Sequence, residues 1–315
     1  MIYTKLGQTG FQVSKICFGA LTIGPLQAKL SLAEGANVIK TALDLGINFI
    51  DTAEMYRNYD YLKAGLKGQQ KEVIIATKTY AYSKEKARKS LEKARREINR
   101  DRIEIFLLHE QESALTIKGH WEALEYLWSA REKNIIGAVG ISTHAVAAVR
   151  AAAEIKEIDV IHPMLNMEGL GIIDGNVGEM LDAIQQAKAA GKGIYTMKAI
   201  GGGNLMGKAK EAVTWALNQK AVDAVAIGMK SPEEVRVNIS WLLGKKPQPE
   251  DLARVSRTPR KLLIEDWCVG CGRCVERCPQ NALSIKDGKA KVNQKSCVLC
   301  GYCGSACREF CIKVV

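Results

Sequence analysis

Ten cysteines stand in this 315-residue chain, and nine of them lie beyond residue 260. Eight of the nine form two runs of one spacing. The first is Cys268, Cys271, Cys274 and Cys278, followed by Pro279; the second is Cys297, Cys300, Cys303 and Cys307. Three thiolates at this interval wrap three corners of an iron–sulfur cube, and the fourth of each run then points toward the other cube. The pattern assigns Cys268, Cys271, Cys274 and Cys307 to one 4Fe-4S cluster, and Cys297, Cys300, Cys303 and Cys278 to a second. Zinc sites usually supply ligands in pairs, and disulfide frameworks belong to secreted chains, so neither suits these triplets. Two details depart from the pattern. Arg308, not Pro, follows Cys307, and Cys311 is an extra thiol. Cys311 reads either as a substitute for Cys307 or as a buried apolar residue, and the second is preferred.

Residues 261–315 thus resemble a bacterial-type two-cluster ferredoxin. Only Cys17 lies before residue 260, which fits a metal module appended to a reduced, cytoplasmic enzyme better than a disulfide protein. The N-terminus lacks the basic-then-apolar build of a signal peptide, and no apolar run approaches the roughly 18 residues a membrane span needs. The net charge is +11, but no basic run is interleaved with aromatics, which argues against a nucleic-acid partner. From Lys245 onward there are 14 Lys and Arg against 7 Asp and Glu. That local excess suits anionic clusters, anionic cofactors or acidic redox partners.

Chemistry before residue 260 needs a scaffold, and the periodicity supplies one. After a small hairpin over 1–13, short apolar runs at 16–18, 47–51, 73–77, 103–108, 138–141, 160–165, 194–198 and 224–227 read as strands. Amphipathic stretches at 31–45, 59–65, 83–98, 120–132, 143–155, 178–190, 208–218 and 232–242 read as the helices between them. Eight strand–helix pairs are the content of a (β/α)8 TIM barrel. A doubly wound sheet would normally carry Gly-x-Gly-x-x-Gly after its first strand, and none is present. The expected division is a barrel over 1–245, a charged, non-periodic linker over 246–260 with Pro247 and Pro249, and a small α+β ferredoxin-like domain over 261–315.

Barrel chemistry sits at the C-terminal ends of strands. Those ends carry, in order, Asp51 with Tyr56 five residues on, then Lys78, then His109. Over nearly all of 1–245 the chain here resembles the aldo-keto reductases, whose tetrad is Asp, Tyr, Lys and His at these places. The resemblance implies carbonyl–alcohol interconversion on a small-molecule substrate. Tyr56 would be the acid that protonates the developing alkoxide, and the base in the reverse direction. Lys78 would lower the Tyr56 pKa, Asp51 would hold Lys78, and His109 would orient the carbonyl.

The resemblance also implies NADP(H). Ser142, Thr143, His162 and Asn166 would hold the nicotinamide amide, with Thr143 where the family often has Asn and His162 or Asn166 where it has Gln. Met197 and Lys198 stand where a Tyr often stacks on the ring. Gly201, Gly202 and Gly203 follow, a weak phosphate signal. Gly228, Lys230, Ser231, Arg236 and Asn238 match the segment for the adenosine phosphate, with Lys230, Ser231 and Arg236 gripping the 2′-phosphate. Three functions are compatible with two such modules. The first, which leads because Lys230, Ser231 and Arg236 have no use without a phosphate, is an NADP(H)-dependent oxidoreductase whose clusters exchange electrons with an external carrier such as a ferredoxin or flavodoxin. The second is nicotinamide-independent, one-electron reduction of substrate at the tetrad. The third is a sensing or structural role.

Overall fold

A computed structural model describes all 315 residues. Eight parallel strands close into a barrel: β3 (Ile16–Gly19), β4 (Phe49–Asp51), β5 (Ile74–Thr79), β6 (Ile103–Leu108), β7 (Ile136–Thr143), β8 (Val160–Pro163), β9 (Gly193–Met197) and β10 (Ala224–Gly228). The closing pair is β10 with β3, in the register Val225↔Ile16 to Gly228↔Gly19. Strands covered on both faces read as continuous apolar runs, and β5 is buried at every position. An antiparallel hairpin, β1 (Tyr3–Lys5) and β2 (Gln12–Ser14), precedes the barrel. The Leu6 side chain beside it joins Cys17, Phe49, Ile105, Leu107 and Tyr195 in the interior layer. A larger apolar cluster fills the space between strands and helices.

The helices begin where their caps dictate. α1 (Leu32–Asp44) starts at Ser31, with a reciprocal capping box to Glu34. Then come α2 (Tyr59–Leu66), α3 (Lys84–Ile98) capped by Ser83, and α4 (Ala114–Gly119), which precedes α5 (Trp121–Glu132). The short α4 lies within a stretch that reads from sequence as rim loop. Three further barrel helices follow: α6 (Val146–Glu154), α7 (Val177–Ala189) and α8 (Ala209–Leu217). The last barrel helix is α9 (Pro232–Leu242), capped by Ser231 with Pro at its first position. No helix is long and apolar enough to cross a membrane.

Two features differ from the sequence reading. The stretch read as a linker contains a helix, α10 (Pro249–Arg257). Pro249 occupies its first turn, where a missing N–H costs nothing, so this proline starts a helix instead of marking coil. The cysteine-rich segment, moreover, is seated on the barrel rim. Its strand β11 (Leu262–Ile264) pairs with the C-terminal β14 (Ile312–Val314), and β12 (Leu283–Lys286) pairs with β13 (Lys289–Val292). Two short helices, α11 (Arg273–Glu276) and α12 (Tyr302–Ala306), carry Cys274 and Cys303. Each is entered through a glycine in the left-handed region, Gly272 at φ 82° and Gly301 at φ 81°, so the two cysteine runs repeat one backbone shape.

Candidate active site and cysteine module

The four tetrad candidates come together at the mouth of the barrel. Asp51 ends β4 and Lys78 is next to last in the adjacent β5, and Lys78 Nζ donates to Asp51 Oδ2 at 2.8 Å and to the Thr52 carbonyl at 2.8 Å. Both side chains are buried. Tyr56 sits on a single 3-10 turn, Glu54–Tyr56, which Arg57 ends in the left-handed conformation. Asn58 fixes that turn from below, accepting from Thr52 Oγ1 at 2.6 Å and donating to the Ala20 carbonyl at 2.8 Å. Lys78 Nζ lies 5.0 Å from the Tyr56 ring centroid, and the His109 ring meets Tyr56 edge-on at 5.8 Å. His109 Nδ1 is buried with no hydrogen-bond partner. Tyr80 stacks on His109 at 4.5 Å, and its hydroxyl donates to Glu110.

The electrostatics depart from one expectation. Burial, with the carboxylates of Asp51 and Glu110, pushes Tyr56 well above the usual phenol range, which outweighs any lowering by the Lys78 ammonium. Tyr56 therefore rests as a phenol that can give a proton. Burial, with the charges of Lys78 and Lys198, holds His109 well below the usual imidazole range, so its ring is neutral.

The residues expected around nicotinamide are occupied elsewhere. Ser142 Oγ accepts from the Glu110 N–H at 2.9 Å, and Thr143 Oγ1 accepts from the Ala145 N–H at 2.8 Å. Asn166 is folded into its own loop, donating to the Leu170 carbonyl and accepting from the Leu170 N–H. His162 lies beneath the mouth, stacked on Tyr195 at 3.8 Å, with Nδ1 against the Tyr195 carbonyl and Nε2 3.6 Å from Asp51. Burial drives His162 down to about 4. Met197 is half-buried at the end of β9, and Lys198 turns to His144, Nζ to Nε2 at 2.8 Å.

The side chains of the adenosine-phosphate segment are engaged by neighbouring groups of the chain. Arg236 grips Asp251 of α10 through Nε and Nη2, the shortest contact being 2.6 Å. Asn238 donates to the Glu234 carbonyl, Ser231 caps its own helix, and Lys230 reaches the Pro259 carbonyl at 3.4 Å. Gly228 faces the Thr22 side chain, which a Cβ there would meet at 2.0 Å.

The module rests on the loops after β8 and β9. Asn204 Nδ2 donates to the Ile312 carbonyl at 2.9 Å, and a Cβ on Gly203 would stand 2.1 Å from the Val314 oxygen. Phe310 packs over Gly171, with Lys198 Nζ 5.0 Å from its ring centroid and the His144 ring edge-on at 6.2 Å.

Two hollows in the module test the fit of its metal chemistry. One is lined by Cys278, Cys297, Cys300 and Cys303, the other by Cys268, Cys271, Cys274 and Cys307 together with Cys311. Cys307 and Cys311 stand 3.3 Å apart, Sγ to Sγ. No three Cys, His, Asp or Glu side chains converge tightly enough for a single ion. Thiols spread around a hollow suit a four-iron cube, which is larger than one zinc ion.

Sequence reasoning missed three participants. Tyr195 donates its hydroxyl to Asp51 Oδ1 at 2.9 Å from inside β9. His144 and Asp251 were also missed, as partners of Lys198 and Arg236.

A parallel barrel with an acid–ammonium–phenol–imidazole cluster at its mouth, followed by a cysteine module, defines a two-part redox protein. The model of the aldo/keto reductase family matches residues 15–214, and that of a 4Fe-4S dicluster domain matches 260–308. This chain belongs to the aldo/keto reductase family and is an oxidoreductase carrying a dicluster domain at its C-terminal end. It is 25% identical over 277 residues to L-galactose dehydrogenase of Arabidopsis thaliana, covering 75% of this chain and 86% of that one. Over 54 residues it is 32% identical to one component of an ion-translocating oxidoreductase complex of Methanosarcina acetivorans, 17% of this chain and 20% of that one. A crystal structure of a Pseudomonas aeruginosa protein assigned to the aldo-keto reductases superposes with TM-score 0.67 at 27% identity, covering 76% of this chain and 94% of that chain.

Proposed function

We propose that this protein interconverts a carbonyl and an alcohol at the barrel mouth, with Tyr56 as proton donor to the substrate oxygen and, in reverse, as acceptor. The observation that carries the reading is the convergence of Asp51, Lys78, Tyr56 and His109. Reduction consumes two electrons and two protons, one proton going to the oxygen from Tyr56 and the other going to the carbon from solvent water. Tyr56, held as a phenol by burial, supplies the proton to oxygen. The neutral His109 ring, unpartnered at Nδ1, hydrogen-bonds and orients that oxygen. Lys78, pinned by Asp51, offsets the negative charge left on the phenolate. Asp51 is itself held by Tyr195, so the set moves little.

The module bears on the source of electrons. Iron–sulfur clusters, when bound, pass electrons singly. Cys268, Cys271, Cys274 and Cys307 would hold one, and Cys278, Cys297, Cys300 and Cys303 the other. We take the module, charged by an external carrier such as a ferredoxin or flavodoxin, as the entry of reducing equivalents. The seat of Phe310 against Lys198 and His144 supports this, and so does the engagement of Arg236 by Asp251. The name of the Methanosarcina relative, part of an oxidoreductase complex, agrees with an electron-transfer role for the module. NADP(H) at the rim is the second reading, in which Arg236 would turn from Asp251 to the phosphate. The domain bounds we propose are 1–245 for the barrel, 246–260 for the connection and 261–315 for the module.

Anaerobic titration separates the two. Wild-type protein and Asp251→Asn are titrated with NADPH and, separately, with reduced ferredoxin, following cluster bleaching. The expected result is bleaching by ferredoxin alone in wild type. Tight NADPH binding by wild type, or its appearance only when Arg236 is freed in Asp251→Asn, moves the proposal to the nicotinamide route.

A further inference from the structure

Lys198 is a rim lysine that the tetrad does not use. It follows β9 directly, in a left-handed backbone conformation at φ 61° that L residues seldom adopt. Such strain is stored where a side chain's direction matters. Its carbonyl holds the next turn, accepting from the Gly201 N–H at 2.7 Å. The ammonium has three N–H donors and makes one hydrogen bond in the protein, to His144 Nε2 at 2.8 Å. No carboxylate stands within 4.0 Å of it. His144 brings no charge: burial, with Lys198 beside it, holds that imidazole well below its usual range.

An arc of contacts joins Lys198 to the reacting end of the mouth. His144 Nε2 is 3.9 Å from Glu110, Glu110 receives the Tyr80 hydroxyl, and Tyr80 stacks on His109. Lys198 is half-buried, with the Phe310 ring 5.0 Å from its Nζ as its other neighbour, and a cation drawn this far from water is unfavourable unless an anion completes it. Its two remaining donors and single positive charge suit one carboxylate, and no second cationic side chain donates beside them to favour a phosphate dianion.

We propose that Lys198 is the subsite for a carboxylate on the substrate, so that the compound reduced at Tyr56 and His109 is an oxo acid and the product a hydroxy acid. This rests on the carbonyl reading above and names its substrate class. The pH behaviour supports it. Burial, with Lys78 nearby, brings Lys198 down to about 8, while Glu110 and Glu265 pull the other way. The groups facing it are His144, Glu110, Lys78 and His109 from the barrel, and Lys313 and Glu265 from the module. Below about pH 8 the ammonium is present, and above it the anion partner is lost.

The test uses cluster-loaded full-length protein and two probes, phenylglyoxylate and acetophenone, which share a ring and a carbonyl and differ by the carboxylate. Calorimetric titration should find phenylglyoxylate at least about tenfold tighter, and Lys198→Met should remove about ten- to a hundredfold of that affinity. Acetophenone should be unaffected. Lys198→Arg should keep the preference, and wild-type affinity for phenylglyoxylate should fall as pH rises through about 8. Equal affinities for the two probes overturn the proposal, as does an unchanged Lys198→Met. If Lys198→Met does not fold, a flat pH profile in wild type overturns it instead. Carboxylate-dependent binding without reduction would keep the subsite and sink the carbonyl chemistry. Reduction of both probes at equal affinity would do the reverse.

Discussion

Asp51 carries more than its tetrad role. It accepts from Lys78 on one oxygen and from Tyr195 on the other, and His162 lies 3.6 Å away. A buried carboxylate needs such partners, since an unpaired one would be strongly disfavoured. The result is a rigid floor beneath Tyr56. Tyr56→Phe removes one oxygen from a half-buried ring and breaks no hydrogen bond made within the protein. It should leave the melting temperature and iron content unchanged while lowering turnover by roughly two to four orders of magnitude, if proton transfer limits. Steady-state rates beside a melting curve decide it; normal turnover would leave the barrel with the family's residues and without its chemistry. The convergence of Asp51, Tyr56, Lys78 and His109 was legible because each closes or follows an apolar run. Tyr195 was not, because a tyrosine within a core strand reads as packing, and its hydroxyl finds Asp51 only once the barrel closes. Lys198 and His144 are 54 positions apart, so their pairing has no sequence signature.

Among the elements, the strands and long helices follow from periodicity and caps, with Ser31, Ser83 and Ser231 each starting the helix read from it. The connection was misread because α10 is short and charged, with Leu252 and Val255 too sparse to announce a period. Its face is defined by an ion pair, Asp251 with Arg236, which local pattern cannot reveal. The module shows the opposite case, where covalent spacing alone set the arrangement. Cys278 follows α11 yet lines the hollow of Cys297, Cys300 and Cys303. Cys278→Ser should therefore damage the second cluster. Iron should fall from about eight to about four per chain. The electron paramagnetic resonance spectrum of the reduced protein should match that of Cys300→Ser. A match to Cys271→Ser instead would mean that each run holds its own fourth ligand.

At the scale of the whole molecule, the question is whether the module is a passenger or a fixed lid on the rim. The contacts argue for a fixed seat. β14 lies across the glycine turn Gly201–Gly203, Asn204 ties that turn to the Ile312 carbonyl, and Phe310 fills the space over Gly171. The sequence marked the three glycines only as a weak phosphate signal. Their use is different: Gly203 has φ 88° and lets the Val314 backbone approach where a Cβ would stand 2.1 Å from its oxygen. Gly203→Ala therefore combines a left-handed backbone cost of about 1–2 kcal/mol with displacement of β14. Gly207→Ala is the control, since a Cβ there meets nothing within 4 Å. The seat predicts that Gly203→Ala lowers the melting temperature, exposes residues 246–260 to protease and slows reduction of substrate by ferredoxin. Iron content should stay the same, because the cysteines are untouched. Gly207→Ala should match wild type in all four. Gly203→Ala with an unchanged melting temperature and cleavage pattern would mean that β14 does not bear on this turn, and that electrons cross to the barrel by another face.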